Sequence, residues 1–280
     1  MRSKSPRSPR PSKSPRSSQS SRPPKPSPAN AGRQVAGRHA VEELFRVRLH
    51  SISECFVRSD WNRGSWLKVL VDQAISQRIP VRPLPAEALD KMARENQGII
   101  AFSNETPELD WAALKTADHS ALVCLDQISD PHNLGAILRT SWLLGINGVL
   151  LAQDRAVHLT PTVIRIACGG AVHVPVEVIH PFSQTLEDLK ASGFWVYGLD
   201  ASATQSLWDV RFPEKVVFMV GSEDAGIRKS SIHLCDELVK FPQTSNRASF
   251  NASVASALFL GEWRRQLGQR QAGGTSATRT

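Results

Sequence analysis

The chain has 280 residues, 41% of them hydrophobic and 21% charged, with a formal net charge of +8. That length and balance suit one large soluble domain or two small ones. No apolar run approaches the length that spans a bilayer, and no apolar segment near the N-terminus marks a secretory signal, so membrane and secreted classes are disfavoured.

The charge is unevenly placed. Residues 1–33 hold nine Lys or Arg and no acid, and removing those nine from +8 leaves −1 for residues 34–280. This stretch is a Ser/Pro/Arg/Lys tract with almost nothing to bury, so it is expected to be a disordered basic tail. Two readings stay open for it. One is an electrostatic arm for nucleic acid, in which each cation releases phosphate counterions; the other is a solubilising leader. Its prolines argue against the amphipathic helix of a transit peptide.

Residues 34–103 alternate helical and strand patterns. Val41, Leu44 and Phe45 have helical spacing, and His39 is read as a helix-start residue. Strands are predicted at 52–57, 81–84 and 97–102, with helices at 66–75 and 86–93. The alternation suggests a small layered α/β unit. Residues 104–119 read as a linker or lead-in helix.

Residues 120–268 form a larger domain. Strands are predicted at 121–125, 148–152, 174–178, 194–199, 216–220 and 238–242. Helices are predicted at 133–144, 160–168 and 183–191, and a last one ends near Trp263. The strands are continuous apolar runs, as in a doubly wound parallel sheet buried on both faces. Residues 269–280 are expected to be a disordered tail. The four cysteines lie far apart without C-x2-C spacing; they are read as buried free thiols of a reducing, cytoplasmic setting.

Several chemistries are disfavoured. After the first strand of the large domain stands Asp126-Gln127-Ile128-Ser129-Asp130, not a glycine-rich dinucleotide loop. There is no Walker lysine loop, no H-E-x-x-H zinc helix and no G-x-S-x-G elbow, and no metal is expected.

Three positive signals remain. Asn133-Leu134-Gly135-Ala136-Ile137-Leu138-Arg139 places a polar residue at a helix start and a lone Arg among apolar neighbours. Two readings stay open for this Arg: a surface Arg on an amphipathic helix, or a desolvated, paired Arg suited to planar recognition of phosphate. Gly221-Ser222-Glu223-Asp224-Ala225-Gly226 is a tight turn after a strand. Ser249-Phe250-Asn251-Ala252-Ser253 leads into a helix. Each alone fits an ordinary cap or turn.

In this order and at these spacings the three resemble the motifs of the SpoU/TrmH family of RNA ribose 2′-O-methyltransferases, in the SPOUT superfamily. Asn133, Ala136 and Arg139 match the first, Gly221, Ser222, Glu223 and Gly226 the second, and Ser249, Asn251 and Ser253 the third. The resemblance covers about residues 120–266. Val35 to Val41 and Asn96 to Ile100 resemble the ends of the L30e-like RNA-binding domain of members that methylate a guanosine in large-subunit ribosomal RNA. The resemblance implies a trefoil-knotted domain, a homodimer, S-adenosylmethionine (SAM) as cofactor, and RNA as partner, with ribosomal RNA favoured over transfer RNA. It implies that Arg139 is catalytic at the ribose 2′-hydroxyl, and that Asn133, Glu223, Asn251 and Ser253 shape the site. It implies that the backbone around Gly221, Phe241 and Phe250 holds the donor. Phe241, Phe250 and Ala252 depart from the usual aliphatics, and Asn96 from a frequent His. The alternative is a non-catalytic RNA-binding or ribosome-assembly protein that kept the fold.

Overall fold

The structure is a computed structural model, and it describes residues 32–63, 65–153, 157–245 and 247–276. The basic stretch 1–31 lies outside the described residues. Arg33, expected to end that tail, instead opens strand β1 (Arg33–Ala36).

The N-terminal unit is a four-stranded mixed sheet in the order β1-β4-β2-β3. Its other strands are β2 (Ile52–Arg58), β3 (Val81–Leu84) and β4 (Ile99–Ser103). β4 runs antiparallel to β1 and to β2, and β3 runs parallel to β2. Helices α1 (Arg38–Val47) and α2 (Ser65–Ser76) cover one face, where Val41, Leu44, Leu67 and Val71 pack on Cys55, Val57 and Ile99. Helix α3 (Ala86–Met92) covers the other, over Phe56, Ile100 and Phe102. The lead-in segment carries one short helix, α4 (Trp111–Thr116), capped by the Asp110 carboxylate.

The larger unit is a seven-stranded, all-parallel sheet in the order β7-β6-β5-β10-β8-β11-β9. The strands are β5 (Ser120–Asp126), β6 (Gly148–Ala152), β7 (Val176–Ile179), β8 (Trp195–Leu199), β9 (Gln205–Ser206), β10 (Lys215–Gly221) and β11 (Glu237–Lys240). Helices α5 (Pro131–Leu144), α6 (Pro161–Ile166), α7 (Gly170–His173), α8 (Phe182–Ala191), α9 (Lys229–Ile232) and α10 (Ala252–Ser276) complete it. Successive residues of β5 and β10 go to opposite cores. Val123, Leu125, Phe218 and Val220 face the side that holds α5 and α10, while Leu122, Cys124, Val217 and Met219 face α8. Burial on both sides explains why these strands read as unbroken apolar runs.

Two local features fix α5 and α10. Asp130 caps α5 by accepting from His132 N, and Pro131 occupies the first turn, where its missing N–H costs nothing. Helix α10 is held by an aromatic stack. Phe259 lies 4.6 Å from Phe218 and Trp263 lies 6.2 Å from Phe218, ring centre to ring centre. Farther on, the Gln266 amide donates to Val210 O and accepts from Phe212 N, and Leu267 is buried. These contacts carry the helix past residue 268, so the expected disordered end begins inside a helix that continues to Ser276.

Other differences are small. β1, β9, α7 and α9 are not among the predicted elements; each has four residues or fewer. Cys55 and Cys124 are buried free thiols, but Cys168 and Cys235 are only partly buried. Among the described residues no helix is long and apolar enough to cross a membrane.

Phe259 is fully buried, so Phe259→Ala is expected to cost about 3–5 kcal/mol. Urea unfolding measures this directly; an unchanged midpoint would contradict the packing of α10 described here.

Candidate functional site

Strand order places the site. β10 inserts between β5 and β8, so the turn leaving β10 stands beside the end of β5, with Gly221 in register with Asp126. Loops at the carboxyl ends of parallel strands are where such sheets take ligands.

The turn after β10 is rigidly built. Ser222 N donates to Gly226 O at 3.1 Å, and Gly226 N donates back to Ser222 O at 2.9 Å. A Cβ on Gly221 would lie 2.0 Å from the Gly226 carbonyl carbon, so position 221 admits no side chain. Just beyond the turn, the Arg228 guanidinium grips the fully buried Asp126 carboxylate at 2.7 Å, and Arg228 N donates to its other oxygen at 2.9 Å. This pair ties the turn to β5.

The turn presents Glu223 to two helix N-termini. Its Oε1 accepts from Asn133 Nδ2 at 3.0 Å, in the first turn of α5. It also accepts from Asn251 Nδ2 and from Ala252 N at 3.3 Å, at the start of α10. A carboxylate is favoured at both helix ends by their dipoles. Asn251 has two tasks. Its Oδ1 caps α10, accepting from Ser253 N at 2.9 Å and from the Ser253 hydroxyl at 2.6 Å. That turns its amide N–H groups toward Glu223 and toward Asn133 Oδ1, 2.9 Å away. Four of the residues singled out in the sequence, Asn133, Glu223, Asn251 and Ser253, are thus one hydrogen-bonded cluster drawn from three distant segments.

A cavity of about 610 Å³ opens beside the cluster. Gly221, Glu223, Phe241 and Phe250 all line it, as do Asp200 and Ser202 at the end of β8. Phe241 is buried and Phe250 is 41% exposed, their rings meeting edge to face at 5.9 Å. The two larger rings wall the cavity without filling it. Its size is that of an ordinary small-molecule site. Asp200 and Ser202 were not foreseen. Asp200 Oδ1 accepts from Ser202 N at 2.7 Å, a turn whose only sequence signal is its place directly after a strand.

Arg139 is the exception. Of the two readings of its sequence context, the structure gives the surface Arg: the residue is exposed. It does not line the cavity, and among the described residues its Nη1 donates only to Cys168 Sγ, at 3.6 Å. Six residues separate it from Asn133, which at 3.6 residues per turn puts the two on different faces of α5. Burial pushes the Cys55 and Cys235 thiols up to about 12, far from thiolate at neutral pH.

Comparison with known proteins places the chain among its relatives. Residues 120–261 match the SpoU rRNA Methylase family, and residues 34–108 match the RNA 2′-O ribose methyltransferase substrate binding family. The 23S rRNA (guanosine-2′-O-)-methyltransferase RlmB of Bordetella pertussis is 35% identical over 237 residues, covering 83% of this chain and 96% of that one. The protein of the same name from Neisseria meningitidis is 31% identical over 239 residues, covering 84% and 95%. Among solved structures, the SpoU methyltransferase AviRb from Streptomyces viridochromogenes, in complex with AdoMet, has a TM-score of 0.71 at 20% identity, covering 85% of this chain and 91% of that one. An AdoMet-bound rRNA methyltransferase from Sinorhizobium meliloti has a TM-score of 0.68 at 18% identity, covering 84% and 87%. With half of its length matched to the family and relatives above 30% identity over nearly their whole length, this chain belongs to the SpoU rRNA methylase family.

Proposed function

We propose that the chain is a SAM-dependent RNA methyltransferase that methylates a ribose 2′-hydroxyl of ribosomal RNA, a guanosine being favoured. The observation that carries the reading is the Asn133–Glu223–Asn251 cluster at the edge of a cavity of about 610 Å³. The RlmB relatives, named for guanosine 2′-O-methylation of 23S rRNA, support the substrate class.

The residues present fit the cofactor. The side-chain-free position at Gly221 brings backbone to the cavity edge, and Phe241 and Phe250 supply apolar walls for an adenine. The backbone at these three positions would hold SAM. When bound, it supplies an electrophilic methyl group on a sulfonium.

The rest falls to the protein. It must hold the acceptor oxygen in line with the methyl carbon, and alignment of this kind is worth up to ~7–11 kcal/mol. It must also help a weakly acidic hydroxyl lose its proton. Arg139 cannot act as a base, because guanidinium keeps its proton at accessible pH. It binds the phosphate next to the target ribose and stabilises the developing alkoxide, while the proton leaves through phosphate or water. Glu223, Asn133, Asn251 and Ser253 keep the loops that surround the reacting atoms in place.

Arg139 does not line the cavity of its own chain, so a second copy supplies it. Leu143 on α5 and Val254 and Leu258 on α10 are 66%, 46% and 37% exposed, an apolar surface on two helices that pack together. This surface fits a homodimer of trefoil-knotted domains. Residues 34–103 serve as the RNA-binding domain, 104–119 as the linker and 120–268 as the methyltransferase domain. A cytoplasmic setting accords with four free cysteines.

Calorimetric titration tests the cofactor site. Micromolar SAM binding is expected for the wild type and at least ~10-fold weaker binding, or about 1.4 kcal/mol, for Asn251→Ala. Equal binding by both would remove the cluster from the site; no binding at all would leave an RNA-binding protein without the reaction. Sedimentation at micromolar concentration is expected to show a dimer, and Leu258→Arg a monomer without methyltransferase activity. A fully active monomer would sink the shared-site account.

A further inference from the structure

The contact between the two units lands on the segment that cradles Arg139. Cys168 and Gly169 join α6 to α7 with φ of 48° and 102°, both left-handed. The turn they make is pressed against α5. A Cβ on Gly170 would lie 2.6 Å from Leu138 O and 2.9 Å from Arg139 N, so nothing bulkier than glycine fits there. Cys168 Sγ sits 3.6 Å from Arg139 Nη1. Trp142, three residues on and therefore on the same face of α5, stacks flat on His173 of α7, with ring centres 4.4 Å apart and planes 7° apart.

The N-terminal unit holds this same segment from the other side. Glu43 on α1 accepts from His173 Nε2 at 2.8 Å, and a Cβ on Gly169 would lie 2.7 Å from Glu43 Cγ. Arg33 Nη1 donates to Ala171 O at 3.1 Å, and Arg48 Nε donates to Val172 O at 3.2 Å. Burial, with the nearby Arg48, pulls the Arg33 guanidinium down to about 10, which marks this contact as a desolvated one. Arg165 of α6 pairs with Glu95, which has a left-handed φ of 55°.

The geometry points to Glu43 and His173 as positioning residues for Arg139: the N-terminal unit, clamped on α7, sets where the guanidinium stands. The chain of contact runs from Glu43 to His173 and Gly169, and from these through Trp142 and Cys168 to the Arg139 face of α5. RNA bound on the N-terminal unit is thereby presented in fixed register with the arginine, and loosening the seam lowers turnover without releasing the RNA. This rests on the role given to Arg139 above.

The test is steady-state methyl transfer by the whole chain to unmodified ribosomal RNA transcripts at saturating SAM, with Glu43→Ala, Glu43→Gln, Arg139→Ala and the Glu43→Ala/Arg139→Ala double variant. Glu43→Ala is expected to lower kcat by about tenfold or more while KM for RNA and SAM affinity stay within about twofold. Glu43→Gln keeps an oxygen for His173 and is expected within about threefold of wild type, which separates a lost contact from a lost fold. In the Arg139→Ala background, Glu43→Ala is expected to add no further loss, since both act through one group. A raised KM with unchanged kcat would overturn the inference, because the N-terminal unit would then contribute affinity alone. An equal further loss in the double variant would also overturn it. Wild-type kcat for Arg139→Ala would instead strike at the arginine's role, and the inference would go with it.

Discussion

The carboxylate of Glu223 is the interaction on which the site depends. One oxygen gathers donors from the start of α5 and the start of α10, segments 90 and 29 residues away in sequence. Neither helix needs this acceptor to exist, since Asp130 and Asn251 already cap them. What Glu223 adds is their mutual position. Hydrogen bonds to a charged acceptor are worth about 1.5–3 kcal/mol, enough to hold three loops in one arrangement and too little to hold them if the strands beneath were elsewhere.

The strands are therefore the deeper cause. Because β10 lies next to β5, the Gly221 turn comes out beside Asp126, and Arg228 can close on that buried carboxylate. Because β11 lies beyond β8, the chain must cross back over the sheet before α10 can pack on α5. That return places Phe241 and Phe250 over the turn and forms the cavity from their side. Cofactor space and hydrogen-bonded cluster thus follow from one topological choice. Arg139 lies outside both, on an α5 face held by the α6–α7 turn.

How much of this was legible in the sequence varied with the physics of each element. The central strands read correctly because burial on both faces leaves only apolar residues, as in Val216 to Val220. The four clustered residues, Asn133, Glu223, Asn251 and Ser253, were found through motif spacing; periodicity alone gave each an ordinary cap or turn. Their convergence on one oxygen was not visible, because hydrogen bonds across 90 residues leave no local pattern. Arg139 could be read either way, as desolvated or as surface-exposed, for a related reason. Its apolar neighbours Ile137 and Leu138 are buried, but its own position points out of the helix pair, and sequence spacing does not say which face a neighbouring element covers. Asp200 and Ser202 carried no signal beyond following a strand. Strand β9 has two residues, below what alternation can reveal, and β1 opens on Arg33 and Gln34, continuous with the polar stretch before it.

The most direct test of the account is where the methyl group goes. Ribosomal RNA transcripts would be incubated with the protein and methyl-labelled SAM, then hydrolysed completely in alkali. A methylated 2′-oxygen cannot attack its neighbouring phosphate, so label on a ribose survives as an alkali-resistant dinucleotide. The account predicts label in such a dinucleotide for the wild type and its loss in Glu223→Ala. Label recovered in mononucleotides would mean methylation of a base, and full ribose labelling by Glu223→Ala would mean that the cluster does not organise the reaction.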